Sequence, residues 1–251
     1  MGQRIAILSA VHDELAEILQ LMPDEQPVVT GGRTFWTGQW QGHDVVATLS
    51  GMGKVAAATT ATVLCERFAP QQILFTGVAG GLAAGVEVGD IVVGSHYLQH
   101  DMDASPLAPR WVVPGYPSER FQADMALAQV LEAAAKDAVT WLPKLVDEAT
   151  RRQFGLHTPS VHRGEIVTGD QFVSSAQASA QLRAARPEAL AVDMESAAVA
   201  QVCADYGVPF ASVRTISDRA DDTAHVDFPH FLQQIARHYS GRIIRKALNL
   251  L

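Results

Sequence analysis

The hydrophobic positions along this chain form short apolar runs that alternate with stretches of helical spacing. The first run, Ile5–Leu8, precedes a helix predicted over His12–Leu21, whose apolar residues recur every three to four positions. The same alternation continues to a terminal helix predicted over Phe231–Leu248. Further strands are predicted at Thr34–Trp40, Val45–Leu49, Ile73–Thr76, Asp90–Gly94 and Ser95–Gln99 (two strands or one), Glu165–Thr168, Leu190–Val192 and Phe210–Ile216. Further helices are predicted from Lys54 to about Arg67, and at Ala123–Lys136, Pro143–Arg152, Ala176–Ala185 and Glu195–Tyr206.

Strands and helices interleave from end to end, which predicts a three-layer α/β/α fold in one domain spanning residues 1–251. Gln41-Gly42, between two strand runs, predicts a hairpin, and the Pro-rich segment Asp103–Tyr116 predicts a loop near the site. No linker, repeat or low-complexity stretch interrupts this pattern.

The composition narrows the class of protein. The 251 residues are 48% hydrophobic and 18% charged, as in ordinary globular chains. A net charge of −8 argues against nonspecific binding to nucleic acid, which requires clustered Lys and Arg. The two cysteines, Cys65 and Cys203, lie in apolar helical stretches and are interpreted as small core residues in a reducing compartment. Neither a signal peptide nor a membrane-spanning run is evident, so a cytoplasmic protein without membrane contact is expected.

Two glycine-rich segments could serve a ligand. Ser50–Lys54 lacks the glycine spacing of a P-loop and the third glycine of a dinucleotide fingerprint. Thr76–Leu82 directly continues a predicted strand. Both segments are compatible with phosphate binding, with tight turns between strand and helix, or with close approach of the backbone to a flat ligand.

Charged residues stand where predicted strands end. Glu14 follows the first strand, Asp218 follows the strand Phe210–Ile216, and Glu195 begins an Ala-rich helix. Each acid could be an ordinary capping or first-turn residue. Arg214 lies inside an apolar strand, where a charge requires a carboxylate or a ligand as partner. Ligands of open α/β sheets bind beyond the carboxyl ends of strands, so we expect these residues on one rim. One acid for proton transfer and another that grips a polyol would suit chemistry on a nucleoside.

Other chemistries lack their signatures. His100–Asp103 is the densest group of possible metal ligands, but no second ligand set follows at metal-site spacing, so we predict no metal site. The chain also has no Gly-x-Ser-x-Gly elbow for acyl transfer.

Eight motifs, in one order along most of the chain, resemble the nucleoside phosphorylase superfamily, and most of all its 5′-methylthioadenosine/S-adenosylhomocysteine nucleosidase branch. The resemblance implies a nucleoside phosphorylase-like fold with a mixed central sheet, hydrolysis of the N-glycosidic bond of a 5′-modified adenine nucleoside, no cofactor, and a homodimer. The motifs are Ala10–Glu14, Ser50–Val55, Thr76–Leu82, Gly89–Val93, His100–Asp103, Gly169–Val173, Val192–Glu195, and Arg214–Asp218 followed by Ala220-Asp221.

The resemblance implies a role for each catalytic candidate. Asp218 resembles the general acid that protonates or hydrogen-bonds the purine N7, oriented by Ser217. Glu14 resembles the base that activates the attacking water, and Arg214 helps to hold that water and Glu14. In phosphorylases of the superfamily an Arg-bearing, Gly-rich loop binds phosphate where Ala10–Glu14 stands here, so the resemblance favours hydrolysis.

The resemblance also implies a set of substrate-binding residues. Glu195 resembles the carboxylate that binds the ribose 2′- and 3′-hydroxyls, with Met194 packing against the sugar. Phe172 would stack on the base, and the backbone of Val173 would bind the adenine edge. The positions that match the lining of the pocket for the 5′ substituent are Met52, Leu107 and Phe228.

Several residues depart from the family pattern. Val78 replaces a usual Ser near the water and ribose, and Asp193 replaces a common Glu. Ala104 and Pro106–Pro109 replace bulkier pocket residues, and the stretch from about Ala138 to Pro159 is longer than usual. These departures leave three alternatives open: a nucleosidase for another nucleoside such as futalosine or aminodeoxyfutalosine, a phosphorylase, or a nucleoside-binding sensor without turnover.

Overall fold

The structure is a computed structural model that describes residues 3–156, 158–221 and 224–251, with the side chains of residues 224–227 left undescribed. Its strands are β1 (Arg4–Ser9), β2 (Gln26–Thr30), β3 (Arg33–Trp40), β4 (His43–Leu49), β5 (Gln72–Gly81), β6 (Ile91–Gln99), β7 (Arg120–Gln122), β8 (Val161–Thr168), β9 (Ala189–Asp193) and β10 (Phe210–Asp218). Its helices are α1 (His12–Leu21), α2 (Lys54–Phe68), α3 (Met125–Leu145), α4 (Glu148–Gln153), α5 (Ala176–Ala185), α6 (Ser196–Tyr206), α7 (Ala224–Phe231) and α8 (Arg237–Leu248), and a π-helical turn, Leu232–Ala236, joins the last two.

The described strands form one mixed sheet. Strands β2, β3, β4, β1 and β5 lie side by side, with β1 parallel to both β4 and β5. Strand β5 then pairs with β9 and with β10, and the pairings β9–β8, β8–β6 and β6–β10 close a ring of five strands. The predicted mixed α/β fold is confirmed, and the ring brings the ends of β5, β9 and β10 together.

The helices pack in two groups on this sheet. Helix α8 contacts both α1 and α3, and α2 packs against α6. The core between helices and sheet is made of Ile, Leu, Val and Ala side chains that are buried almost completely. Cys65 on α2 and Cys203 on α6 are buried free thiols, as predicted. None of the helices in the described residues is both long and apolar enough to cross a membrane.

Most predicted elements are confirmed, and the exceptions have physical causes. The hairpin turn is confirmed, with positive φ at both Gln41 and Gly42, the backbone of a tight two-residue turn. The separate helix predicted at Pro143–Arg152 is confirmed as the shorter α4, but its predicted start is wrong. Helix α3 continues through Pro143 to Leu145 because its face of Leu131, Ala138 and Leu142 stays buried to the last turn. The exposed edge strand β2 and the three-residue β7 were not predicted, since neither has an apolar run.

Candidate active site

A cavity of about 360 Å³ opens where the carboxyl ends of the strands meet. Segments that follow β1, β4, β8 and β9 line it, together with the ends of β5 and β10, as expected for a ligand site of an α/β sheet. The described residues of its lining are Ala10, Val11, Met52, Val78, Ala79, Gly80, Gln171, Phe172, Val173, Val192, Asp193, Met194, Glu195, Ser217, Asp218 and Phe228.

A bulge at the end of β10 turns two consecutive side chains into the cavity. Residues of a regular strand point to alternate faces, but the pairing of β10 with β5 shifts by one residue between Ile216 and Asp218. Ser217 and Asp218 therefore both line the cavity. The Ser217 hydroxyl donates to Asp218 Oδ2 at 2.7 Å, and the Ala220 amide donates to Asp218 Oδ1 at 2.8 Å. The Asp218 carboxyl group is thereby held in one orientation.

The glycine-rich segment Thr76–Leu82 is strand rather than a turn into a helix, because β5 runs on to Gly81. A Cβ atom on Gly77 would come within 2.9 Å of the Arg214 guanidinium, and one on Gly80 within 3.1 Å of Asp218 Oδ1. The glycines therefore leave room for the two charged side chains of the neighbouring strand β10. Neither a tight turn nor a phosphate cradle forms here.

The segment Ser50–Lys54 binds carboxylates with its backbone. The Gly53 amide donates to Glu195 Oε1 at 3.0 Å, and the Lys54 amide at the start of α2 donates to Asp170 Oδ1 at 2.7 Å. The Lys54 ammonium group lies 2.6 Å from Asp101 Oδ1. These amides and this lysine are therefore engaged by carboxylates of the protein, which removes the phosphate interpretation of this loop.

Burial gives Glu195 an unusual pKa. The side chain is buried at the start of α6, and this burial, followed by the negative charge of Asp193, raises its pKa to about 7. The Gly53 amide stabilises the ionised form and opposes the rise. Glu195 thus lines the cavity as a carboxyl group that can gain or lose a proton near neutral pH.

Arg214 is completely buried, and its partner is Asp193. The Arg214 Nε atom lies 2.8 Å from Asp193 Oδ2, which confirms the expectation that this charge has a carboxylate partner. Asp193 also accepts hydrogen bonds from the hydroxyls of Thr168 and Ser196 and from backbone amides at the start of α6. Asp193 therefore joins β8, β9, β10 and α6, and fixes the guanidinium beneath the cavity.

Glu14 lies behind the cavity wall formed by Ala10 and Val11, and its side chain is fully buried. Burial raises its pKa to about 7, although the hydroxyl of Ser240 and the charge of Arg214 both lower it. The Ser240 hydroxyl donates to Glu14 Oε1 at 2.7 Å, whereas the buried Oε2 has no hydrogen-bond partner in the described part of the chain. Glu14 is thus a carboxyl group with one oxygen engaged and one available.

The apolar candidates divide into those at the cavity and one outside it. Phe172 and Phe228 line the cavity edge to face, with ring centroids 5.8 Å apart. Met52 also lines it, although the side chain is 68% exposed. Leu107 is 93% exposed and lies outside the lining of this chain's cavity, so its place in a pocket for the 5′ group stays a prediction. The remaining candidates, Val78, Val173 and Met194, line the cavity.

Sequence reasoning missed the polar residues that hold the candidates in place. Lys54 and Asp193 lie inside the motifs, which indicated that they are near the site. A motif does not show which atoms are in contact. Nothing in the sequence around Ser240 indicated its role, because it lies on an ordinary helix and its partner, Glu14, is 226 positions away along the chain.

The chain is similar to known proteins over nearly its whole length. A model of the phosphorylase superfamily matches residues 4–249. The 5′-methylthioadenosine/S-adenosylhomocysteine nucleosidase of Geobacillus thermodenitrificans is 36% identical over 242 residues, which cover 96% of this chain and 94% of the relative.

Solved structures agree with the sequence relatives. The nucleosidase of the same name from Neisseria meningitidis, in complex with methylthio-immucillin-A, has a TM-score of 0.86 at 32% identity, covering 99% of this chain and all of that one. The futalosine hydrolase of Helicobacter pylori has a TM-score of 0.83 at 31% identity, covering 100% of this chain and 99% of that one. The chain therefore belongs to the phosphorylase superfamily, in the branch of N-glycosyl hydrolases that contains the 5′-methylthioadenosine/S-adenosylhomocysteine nucleosidases.

Proposed function

We propose that this protein hydrolyses the N-glycosidic bond of 5′-modified adenine nucleosides, with 5′-methylthioadenosine and S-adenosylhomocysteine as substrates. The observation that carries the proposal is the convergence of Asp218 and Glu195 on one cavity, with the buried Glu14 behind its wall. Three carboxyl groups line the cavity, and of these Asp193 pairs with Arg214. The other two, Asp218 and Glu195, together with the buried Glu14, supply an acid, a ribose ligand and a base.

Asp218 acts on the leaving base. When the N9–C1′ bond breaks, its electron pair moves into the purine, and a proton delivered to N7 makes adenine a better leaving group. Ser217 and the Ala220 amide hold the Asp218 carboxyl group in place for this transfer. Phe172 stacks on the purine, and the Val173 backbone binds the adenine edge.

Glu14 acts on the water. The sugar becomes cationic at C1′ as the base departs, the water oxygen attacks C1′, and the water proton passes to Glu14. Glu14 Oε2 and Arg214 Nη2 are buried atoms without hydrogen-bond partners among the described residues, so an acceptor and a donor are available to hold that water. A pKa of about 7 lets Glu14 accept the proton and release it again near neutral pH.

Glu195 and Met194 bind the ribose. An ionised Glu195 accepts hydrogen bonds from the 2′- and 3′-hydroxyls while the Gly53 amide holds its Oε1. Negative charge on this side chain also stabilises the cationic sugar. Met52 and Phe228 contact the 5′ substituent at the end of the cavity.

Hydrolysis is favoured over phosphorolysis by the charge of the site. The described lining of the cavity contains three acidic residues and no lysine or arginine, and Arg214 beneath it is paired with Asp193. Phosphate would meet carboxylates where phosphorylases supply cations. Val78, which puts an apolar side chain in this wall, adds no donor for phosphate.

A nucleosidase for futalosine or aminodeoxyfutalosine is the second candidate, because a futalosine hydrolase has the same fold at nearly the same identity as the methylthioadenosine enzymes. The test is base release from methylthioadenosine, adenosylhomocysteine, futalosine and aminodeoxyfutalosine in phosphate-free buffer. We expect adenine from the first two. Release from the futalosine compounds alone would transfer the assignment to them, and dependence on added phosphate would establish a phosphorylase.

Asp218→Asn is the matched variant for this assay. It keeps the size of the side chain and its hydrogen bonds as an acceptor through Oδ1, but it cannot protonate N7. We expect turnover to fall about 10²–10⁴-fold while nucleoside binding persists. Near-normal turnover would remove Asp218 from the acid role, and tight nucleoside binding by an inactive wild type would indicate a sensor.

The assembly and location of the protein remain predictions. We propose a cytoplasmic homodimer, supported by the exposed apolar side chains of Met52, Val55 and Leu107, which are 68%, 78% and 93% exposed in the single chain. Light scattering of the purified protein would test the dimer.

A further inference from the structure

A chain of buried hydroxyl groups leads to Glu14 from the side away from the cavity. The Thr76 hydroxyl on β5 donates to Ser240 Oγ on α8 at 2.9 Å, and the Ser240 hydroxyl donates to Glu14 Oε1 on α1 at 2.7 Å. Thr76 is 1% exposed, and Ser240 and Glu14 are 0% exposed, so solvent does not compete for these bonds. Three elements distant in sequence are thereby joined at one carboxyl group.

The direction of the hydrogen bonds follows from the chemistry of the groups. An ionised carboxylate only accepts hydrogen bonds, so the single hydroxyl proton of Ser240 must be donated to Glu14. The Ser240 oxygen is then free to accept the proton of Thr76. The chain is therefore arranged for the ionised form of Glu14, which is the form that a base requires.

We propose that Ser240 is a positioning residue for the reaction: its hydroxyl holds Oε1 of Glu14 and leaves Oε2 as the oxygen that takes the proton from water. Thr76 supports it by fixing the Ser240 hydroxyl. This inference rests on the proposed function, because it gives Glu14 the role of base. Ser240 lies outside the lining of the cavity and so acts through Glu14 rather than on the nucleoside.

Few other groups near Glu14 could hold its carboxyl group in the way that Ser240 does. Arg214 on β10 is the charged group that acts on it directly, and it lowers the Glu14 pKa as the Ser240 bond does. The backbone amides of Val11 and Ala10 lower it less, and among the described residues Ser240 is the side chain that hydrogen-bonds to it. Charged groups on the elements packed against α1 act on residues other than Glu14. On α8, His238 faces the opposite charge of Glu17 and the like charge of Arg237, and Arg242 pairs with Asp137. Arg4 on β1 pairs with Asp44 on β4, where His43 bonds to the Leu248 carbonyl.

The test compares the pH dependence of kcat/KM for the wild type and Ser240→Ala. Loss of a hydrogen bond to the ionised carboxylate raises the pKa of Glu14, so the acidic limb of the profile moves up by about one pH unit. We expect kcat on the plateau to fall about tenfold and KM to stay within about twofold, because the nucleoside contacts are untouched. Ser240→Thr keeps a hydroxyl and returns the limb toward the wild-type position.

A second measurement does not depend on turnover. The pKa of Glu14 can be read from the pH dependence of unfolding by urea, as the difference between each protein and its Glu14→Gln version. The Glu14 pKa obtained in this way should be higher in the Ser240→Ala protein than in the wild type, by the same number of pH units as the acidic limb of the kcat/KM profile moves. An unmoved limb and an unmoved stability curve would overturn the role of Ser240. An inactive wild type whose stability curve shifts as expected would instead overturn the proposed function and leave the bond to Glu14 established.

Discussion

Glu14→Gln should remove activity and at the same time stabilise the protein at alkaline pH. The pKa of Glu14 is about 7 in the folded chain against an ordinary value of 4.5, mainly because burial disfavours the ionised form. At about 1.4 kcal/mol per pH unit, this difference amounts to about 3 kcal/mol. Once the carboxyl group of Glu14 is ionised, its burial therefore makes the folded state less stable.

The sign of the effect fixes the pH window. Because the folded pKa lies above the unfolded one, the contribution of Glu14 to stability is fully present below about pH 4.5 and is lost as the pH rises through about 7. Glutamine is neutral throughout and keeps an oxygen for the Ser240 hydroxyl. The variant should therefore match the wild type near pH 4.5 and exceed it by about 3 kcal/mol at pH 8, or by about 6–12 °C in Tm for a chain of this size.

The assay is urea unfolding of both proteins from pH 4.5 to 8, with the difference in free energy of unfolding plotted against pH. Other titrating groups cancel in this difference. Asp13→Asn, which removes the same charge from the half-buried neighbouring position on α1, is the matched control for the loss of a carboxylate as such. A difference in the free energy of unfolding that does not change with pH for Glu14→Gln, or a variant less stable than the wild type at pH 8, would refute the claim that ionisation of this buried carboxyl group lowers stability.

Two further predictions concern the walls of the cavity. Glu195→Ala should raise KM about 10–100-fold and lower kcat as well, since it removes a charged hydrogen-bond partner of the ribose; steady-state kinetics with a purely catalytic defect would contradict the ribose role. The Lys54 ammonium group pairs with Asp101, whose other carboxylate oxygen accepts the Asp170 amide of the loop that bears Phe172. Lys54→Met should therefore raise KM about tenfold with a smaller change in kcat. Lys54→Arg is the control, and an unchanged KM would show that the loop keeps its place without this contact.

The sequence predicted part of the rim of the site, because strand ends are marked by a change from apolar to polar residues. Of the four charged residues expected there, Glu14 and Arg214 are instead fully buried outside the described lining of the cavity. Asp218 and Glu195 reach the cavity as expected, and Arg214 has the carboxylate partner that an arginine in an apolar strand requires. The identity of that partner, Asp193, depends on β5 pairing with both β9 and β10, which no local pattern encodes.

The residues behind the rim could not be predicted for a related reason. Ser240 is one polar position on a helix with several, and only the packing of α8 against α1 and β5 gives it Glu14 and Thr76 as partners. The glycines of β5 are compatible in sequence with tight turns, phosphate binding or close approach to a flat ligand, whereas in the structure their missing side chains make space for Arg214 and Asp218.

The burial of an excess of acidic residues at the site is the common physical cause of its raised pKa values and of its proposed preference for a cationic sugar over phosphate. Glu14, Asp193, Glu195 and Asp218 surround or underlie one cavity, and among the described residues Arg214 is the cation paired within that group. Asp193 takes the ion pair, and burial raises the pKa of both Glu14 and Glu195 to about 7 although the charge of Arg214 lowers both. Under the proposed function, this excess of carboxylates would repel phosphate and stabilise a sugar that turns cationic as its base departs, and Glu14 and Glu195, with pKa values of about 7, would exchange protons near neutral pH. Because burial disfavours the ionised form of Glu14, replacing this carboxyl group should, under the proposed function, cost activity and increase stability above neutral pH, as expected for a site selected for chemistry rather than for packing.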